Sequence, residues 1–272
     1  MKQLLLAILL ILSGLLGSEH SHAQDSPAKG FVENMLESIL NVEGRSLSVE
    51  NASISLTGDL TIARVEVRDS TDTWLVIEEL ALVWRPLSLF GKQLQVDGLT
   101  AKSVHLLRMP QSPEGSVAAP KELEGITAAL IKRLAIETLT IDRPVLGQDA
   151  RLTLEGSAEI VAEPPEIRFD MTASRLDGKK GDLATRIVLD PVTRNFSADV
   201  TFAEEADGIV AAALALRGGP SVDLGLSAAG NFTNWKGTFN LDLDKQRTIE
   251  GNASSAADAS GQAITVDGTG AM

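Results

Sequence analysis

The apolar positions of this chain follow two patterns. From Leu47 onward they stand at offsets 0, 2, 5 and 7 of a recurring window: Leu47-Val49-Ala52-Ile54, Leu60-Ile62-Val65-Val67, Leu75-Ile77-Leu80-Leu82, Leu94-Val96-Leu99-Ala101 and Leu134-Ile136-Leu139-Ile141. An amphipathic helix shows offsets 0, 3, 4 and 7, and a plain half-buried strand alternates strictly. Each window therefore predicts a strand whose alternation slips by one residue, at Glu50-Asn51, Ala63-Arg64, Glu78-Glu79, Asp97-Gly98 or Glu137-Thr138. One extra residue at a bulge or corner returns the apolar face to the same side. Five irregularly spaced copies predict a long, bent sheet. Farther along, Ile167-Phe169-Met171-Ala173, Phe196-Ala198-Val200-Phe202, Val222-Leu224-Leu226 and Phe239-Leu241-Leu243 alternate strictly. Turn signals such as Asp190-Pro191, Asp207-Gly208 and Gly218-Gly219-Pro220 separate them. One apolar face per strand predicts a sheet with a dry side and a wet side.

Ahead of the strands, Ser26-Pro27 reads as an N-cap and first-turn pair. Phe31, Val32, Met35, Leu36, Ile39 and Leu40 then form one helical face, and Gly44 supplies the stop. The polar face of this helix is acidic, so it is read as a cap on the sheet and not as a helix lying on anionic lipid. Earlier still, Met1-Lys2-Gln3 precedes an apolar run from Leu4 through Leu10 to Leu16, and Ser21-His22-Ala23 offers a small-x-small cleavage site. This is the pattern of an export signal. The run is shorter than the ~20 residues a spanning helix needs, and an uncleaved anchor is the alternative. Pro110 to Pro120 reads as a linker, and Leu123 to Lys132 as a short helix. The chain thus divides into a signal or anchor (1–23), a capping helix (24–44), a first β region (45–109), a linker (110–122) and a long β region (123–272). Ala263-Ile264-Thr265-Val266 begins one more strand near the end, so the last region is expected to be incomplete, either truncated or completed by another chain.

Composition narrows the function classes. With 37 acidic and 24 basic residues the net charge is −13, which argues against a nucleic-acid partner. The absence of cysteine removes thiol nucleophiles, thiolate metal sites and disulfides. Beyond His20 and His22 in the signal region, His105 is the one imidazole, too few for a triad or a His-rich metal site. Glu78-Glu79 and Glu204-Glu205 are paired carboxylates, but neighbours on a strand point to opposite faces and do not converge on a cleft. No phosphate-binding or nucleophile-elbow motif is present, and the sequons at Asn51, Asn195, Asn231 and Asn252 are ordinary in a turn-rich chain. Trp74 and Trp84 read as strand-end packing. No catalytic residue, metal or cofactor is expected.

Phe31 to Arg45, Trp74-Leu-Val-Ile77, Leu82-Val-Trp84, Leu87-Ser-Leu-Phe-Gly91-Lys-Gln-Leu94-Gln-Val96 and Leu139-Thr-Ile141-Asp-Arg-Pro144 through Gly156-Ser157 resemble the N-terminal region of the TamB family of AsmA-like proteins. The resemblance covers about residues 31–157 and involves no catalytic residue. It implies an elongated, U-shaped β-groove, open along one side, in the periplasm and associated with the inner membrane. It also implies phospholipid transport or outer-membrane protein assembly with the outer-membrane β-barrel partner TamA. Such proteins are several times longer than this sequence, and their region associated with the barrel partner is not expected within it. The windows above, from Leu60 to Ile141, are then the expected lining of the groove. The small residues Ala211-Ala212-Ala213, Ala215 and Ala228-Ala229 are expected to leave room in it. An outer-membrane barrel fits poorly, because 4% aromatic residues and no Tyr leave no aromatic girdle. An exported β-repeat adhesin or scaffold with a closed core is the main alternative.

Overall fold

The computed structural model describes residues 46–110, 128–245, 247–258 and 261–271. The signal segment, the 24–44 helix and nearly all of the 110–122 linker lie outside them. The described chain is mainly β: β1 (Ser46–Ile54), β2 (Leu60–Arg68), β3 (Thr73–Trp84), β4 (Gln93–Leu106), β5 (Ala128–Ile141), β6 (Ala150–Ala162), β7 (Pro165–Arg175), β8 (Gly181–Leu189), β9 (Asn195–Glu204), β10 (Val222–Asn231), β11 (Asn234–Leu243), β12 (Arg247–Asp258) and β13 (Gly261–Ala271). They form one sheet in sequence order, and β1 does not pair with β13, so the sheet is open. Every pairing is antiparallel except β4 with β5. Two short helices, α1 (Arg143–Leu146) and α2 (Ile209–Ala213), and a 3-10 turn at Pro86–Gly91 complete the described elements.

The slips in the sequence line up across the sheet. Val49 pairs with Val65 and Ala52 with Ile62, so the slip at Glu50-Asn51 faces the slip at Ala63-Arg64. The same row continues through Glu78-Glu79 on β3, Lys102-Ser103 on β4 and Glu137-Thr138 on β5. Because neighbouring strands slip at one level, their ladder keeps step while all their apolar residues stay on one side. Asn51 and Glu79, on β1 and β3, take the left-handed conformation there, with φ of 52° and 49°. A second row passes through Asp97-Gly98 and Lys132-Arg133. Both rows end at the β5–β6 pairing, where register shifts fall between Ile131 and Leu134 and between Ile136 and Leu139. There two residues of β5 oppose one of β6, which defines a bulge. From β6 to β13 the registers are unbroken, matching the strict alternation in the sequence.

The core follows from this arrangement. Leu60, Ile62, Val65 and Val67 of β2, Leu75 of β3, Ala101, Val104 and Leu106 of β4 and Ile141 of β5 form one buried cluster, with Val67 at 0% exposure. Each such side chain contributes ~1.5–3 kcal/mol relative to exposure. The short helix expected at residues 123–132 is corrected for Ala128–Lys132, which belong to β5; residues 123–127 lie outside the described part.

Candidate functional site

The expected lining residues share one face of the sheet. Leu60, Ile62, Val65, Val67, Leu75 and Ile141 are buried in the cluster, and Ile77, Leu80, Leu82, Ile136 and Leu139 pack against it half-buried. Leu94, Val96 and Leu134 stand on the same side, in paired positions of β4 and β5 and outside the cluster; Val96 is buried. Beyond β5 this face is largely buried or half-buried through β12. At the far end Ile264 and Val266 of β13 are 66% and 62% exposed.

Between these extremes, β6 to β10 build the face from regular rungs. One runs Leu154, Ala173, Leu183, Phe202, Leu224, and the next Gly156, Met171, Thr185, Val200, Leu226. Two more follow, ending at Ile160, Ile167, Leu189, Phe196 and Gly230. Gly156 is required by backbone proximity, since a Cβ there would lie 2.6 Å from the Asp170 carbonyl oxygen. Across these four rungs Thr185 is the one polar side chain, and none is ionisable.

The rung that ends this face is different. It carries Leu152, Arg175, Gly181, Glu204 and Val222. The Arg175 side chain is 3% exposed and grips Asp177, with Nε donating to Oδ1 at 2.9 Å and Nη2 to Oδ2 at 2.5 Å. This contact holds the Asp177 carboxyl below its usual range. Glu204 is 5% exposed, and its Oε1 accepts the amide N–H groups of Val210 and Ala211 at 2.8 and 3.1 Å. Its carboxylate thus satisfies the first turn of α2, which lacks a side-chain N-cap. Over β5, Val145 and Leu146 of α1 pack on the apolar cluster, and α1 touches α2. The two helices therefore meet on the apolar side, above strands that separate their points of attachment. Ala211-Ala212-Ala213, expected to leave room in a groove, instead form α2, with Ala215 in the turn after it. Ala228 lies on the apolar face, and Ala229 on the other.

The opposite side carries charge, concentrated at the slip rows. Arg64 donates to Glu66 and Glu78 at 2.9 and 2.8 Å, and Lys102 pairs with Glu79. On the second row Arg85 and Lys132 bind the two oxygens of Asp97 at 2.7 and 2.5 Å. Hydrogen bonds from Arg85 first, then Lys132, lower the Asp97 pKa to about 2. His105 Nε2 lies 2.7 Å from Asp142 Oδ1 at the start of α1, half-exposed. Trp84 donates its indole N–H to the Gly58 carbonyl at 2.7 Å, and Trp74 is buried in the cluster.

Sequence reasoning singled out neither Arg175 nor Gln148, and weighed Glu204 only as half of a carboxylate pair. For Arg175 and Glu204 the signal was a charged residue at the apolar phase of a strand end, masked by the turn residues beside it; Gln148, in the turn between α1 and β6, carried none. No protein-family model, curated protein or solved structure matches this chain.

Proposed function

We propose that the chain is a TamB-like, non-enzymatic envelope-biogenesis protein whose apolar sheet face receives phospholipid acyl chains between the inner and outer membranes. The observation that carries this reading is the run of four uncharged rungs across β6–β10, continued on a largely half-buried face of β11–β12 that becomes exposed at β13. An acyl chain laid on such a face gains about 0.8 kcal/mol per buried methylene. Uniform apolarity without a deep well suits movement along the surface better than tight capture. Periplasmic location, inner-membrane association, outer-membrane protein clients and a TamA partner belong to the same proposal and rest on the sequence resemblance. A closed-core scaffold or adhesin is the second reading, favoured by the near-complete burial of Ile62, Val65 and Val67.

In-cell photo-crosslinking tests the choice. Crosslinking residues go at Leu80, Leu82 and Leu226 on the apolar face, and at Ala81, Val83 and Ser227 on the other. Phospholipid recovered from Leu226, with or without the more buried Leu80 and Leu82, but not from the opposite face is expected. No lipid at any position overturns the reading and favours the scaffold.

A further inference from the structure

We propose that the end rung of the apolar face is a binding site for the zwitterionic amino-phosphate headgroup of a phospholipid, held by Arg175, Gln148 and Glu204. The proposal rests on the acyl-chain reading above and adds the class of headgroup. Three buried polar atoms at this end have no hydrogen-bond partner among the described residues: Arg175 Nη1, Gln148 Nε2 and Glu204 Oε2. A buried polar group without a partner is costly, and such groups are rare in folded proteins. Three at one end of one face form a set with a definite complement.

The placement follows from the backbone. Arg175 and Glu204 flank Gly181 on adjacent strands, and a Cβ at Gly181 would meet Arg175 Cδ at 2.7 Å and Glu204 Cβ at 3.7 Å. Glycine thus leaves the room that the Arg175 stem fills beside Glu204. Gln148 follows Gly147, whose Cβ direction points to the Ala212 carbonyl oxygen 4.0 Å away on α2, next to the Ala211 amide that Glu204 holds. Asp177 occupies one edge of the Arg175 guanidinium and leaves Nη1 on the other side. The free atoms therefore offer two donors, one of them cationic, and one anionic acceptor. A phosphate oxygen matches the donors, and an ammonium group matches Glu204.

The apolar rungs begin one step below these atoms. From Leu183 to Leu189 they span six residue-to-residue steps, about 20 Å at ~3.4 Å each. That length suits an acyl chain filling one half of a ~30 Å bilayer core. Charged end and apolar run together reproduce the layout of one phospholipid. The three atoms are shut away from solvent and Glu204 is tied to α2, so the headgroup enters with the 205–221 segment raised. That segment is bounded by Gly208 and by Gly218 and Gly219, the latter two at φ of 83° and 53°.

Two measurements on the purified full chain test the site. In the first, titration calorimetry uses glycerophosphoethanolamine, glycerophosphoglycerol and inorganic phosphate. The ethanolamine compound is expected to bind about tenfold tighter than either of the others, the worth of one charge-assisted hydrogen bond. Glu204→Gln should erase its advantage over the glycerol compound, and Arg175→Gln should weaken both. Gln148→Leu, beside a surface loop, should weaken both without altering the order, and remains informative if Arg175→Gln does not fold. Absence of binding, equal affinity for inorganic phosphate, or an unchanged preference in Glu204→Gln overturns the proposal. In the second, mass spectrometry compares the lipids co-purified with wild type and Glu204→Gln. Lipid with no headgroup preference sinks the site and spares the acyl-chain reading; headgroup binding without co-purified lipid does the reverse.

Discussion

A methyl group at Gly208 would put its carbon 2.1 Å from Glu204 Cδ, inside a carboxylate that is itself buried and tied to α2. Gly208→Ala should therefore destabilise the fold by ~1–3 kcal/mol through overpacking, read as a lower urea midpoint. An unchanged midpoint would mean that the carboxylate moves aside freely. Asp97 offers a second single-residue test. Its carboxyl titrates at about 2 in the folded chain against an ordinary 3.8, so its stabilising contribution is complete above pH ~4. That contribution is lost as the pH falls through about 2. The midpoint difference between wild type and Asp97→Asn should thus be present at pH 7, narrow between pH 4 and 2, and close at lower pH. A difference that ignores pH would show that the Arg85 and Lys132 contacts do not hold the carboxylate in solution.

Elements are where the sequence was most and least legible. Strand phase could be read from offsets alone, because side chains alternate with period two whatever the partner. The slips in all five windows fall inside strands, and their polar residues project away from the buried cluster. That the slips share two rows could not be read, since it depends on which strands pair and in what register. The row structure also explains the misread start of β5. A slipped strand places Leu130 and Leu134 at helical offsets from Ile126, and periodicity cannot separate the two. The end rung was hidden for a related reason: Arg175 and Glu204 meet only through β8, so neither residue signals the other locally. Deleting Glu79 should test the shared-row account directly. The deletion leaves the β3–β4 ladder out of step and turns Leu80 and Leu82 to the charged side. Loss of a cooperative unfolding transition is expected, whereas Glu79→Val, which keeps the count but puts a β-branched residue at positive φ, should cost only ~1–2 kcal/mol. Equal effects from both changes would contradict it.

At the scale of the whole molecule, an open sheet in chain order has a consequence for cooperativity. Each strand is hydrogen-bonded only to its sequence neighbours, as the repeats of a solenoid touch only the next repeat. Stability then depends on local burial, and burial is uneven: the β2–β5 cluster is closed, while β13 is exposed on both faces. Backbone amides should exchange slowest in β2–β5 and fastest in β12–β13, with opening free energies graded between them. Ile62→Ala sharpens the expectation. Truncating this 1%-exposed side chain should cost ~2–5 kcal/mol within the cluster. Hydrogen-exchange mass spectrometry should then show faster exchange in β1–β5 and little change in β8–β11, where the four apolar rungs lie on unbroken registers. Uniform acceleration across all thirteen strands would show a single cooperative unit, and with it a face too rigid for its end rung to open independently of the core. Local acceleration would show that the β2–β5 cluster and the β6–β10 surface open independently of each other.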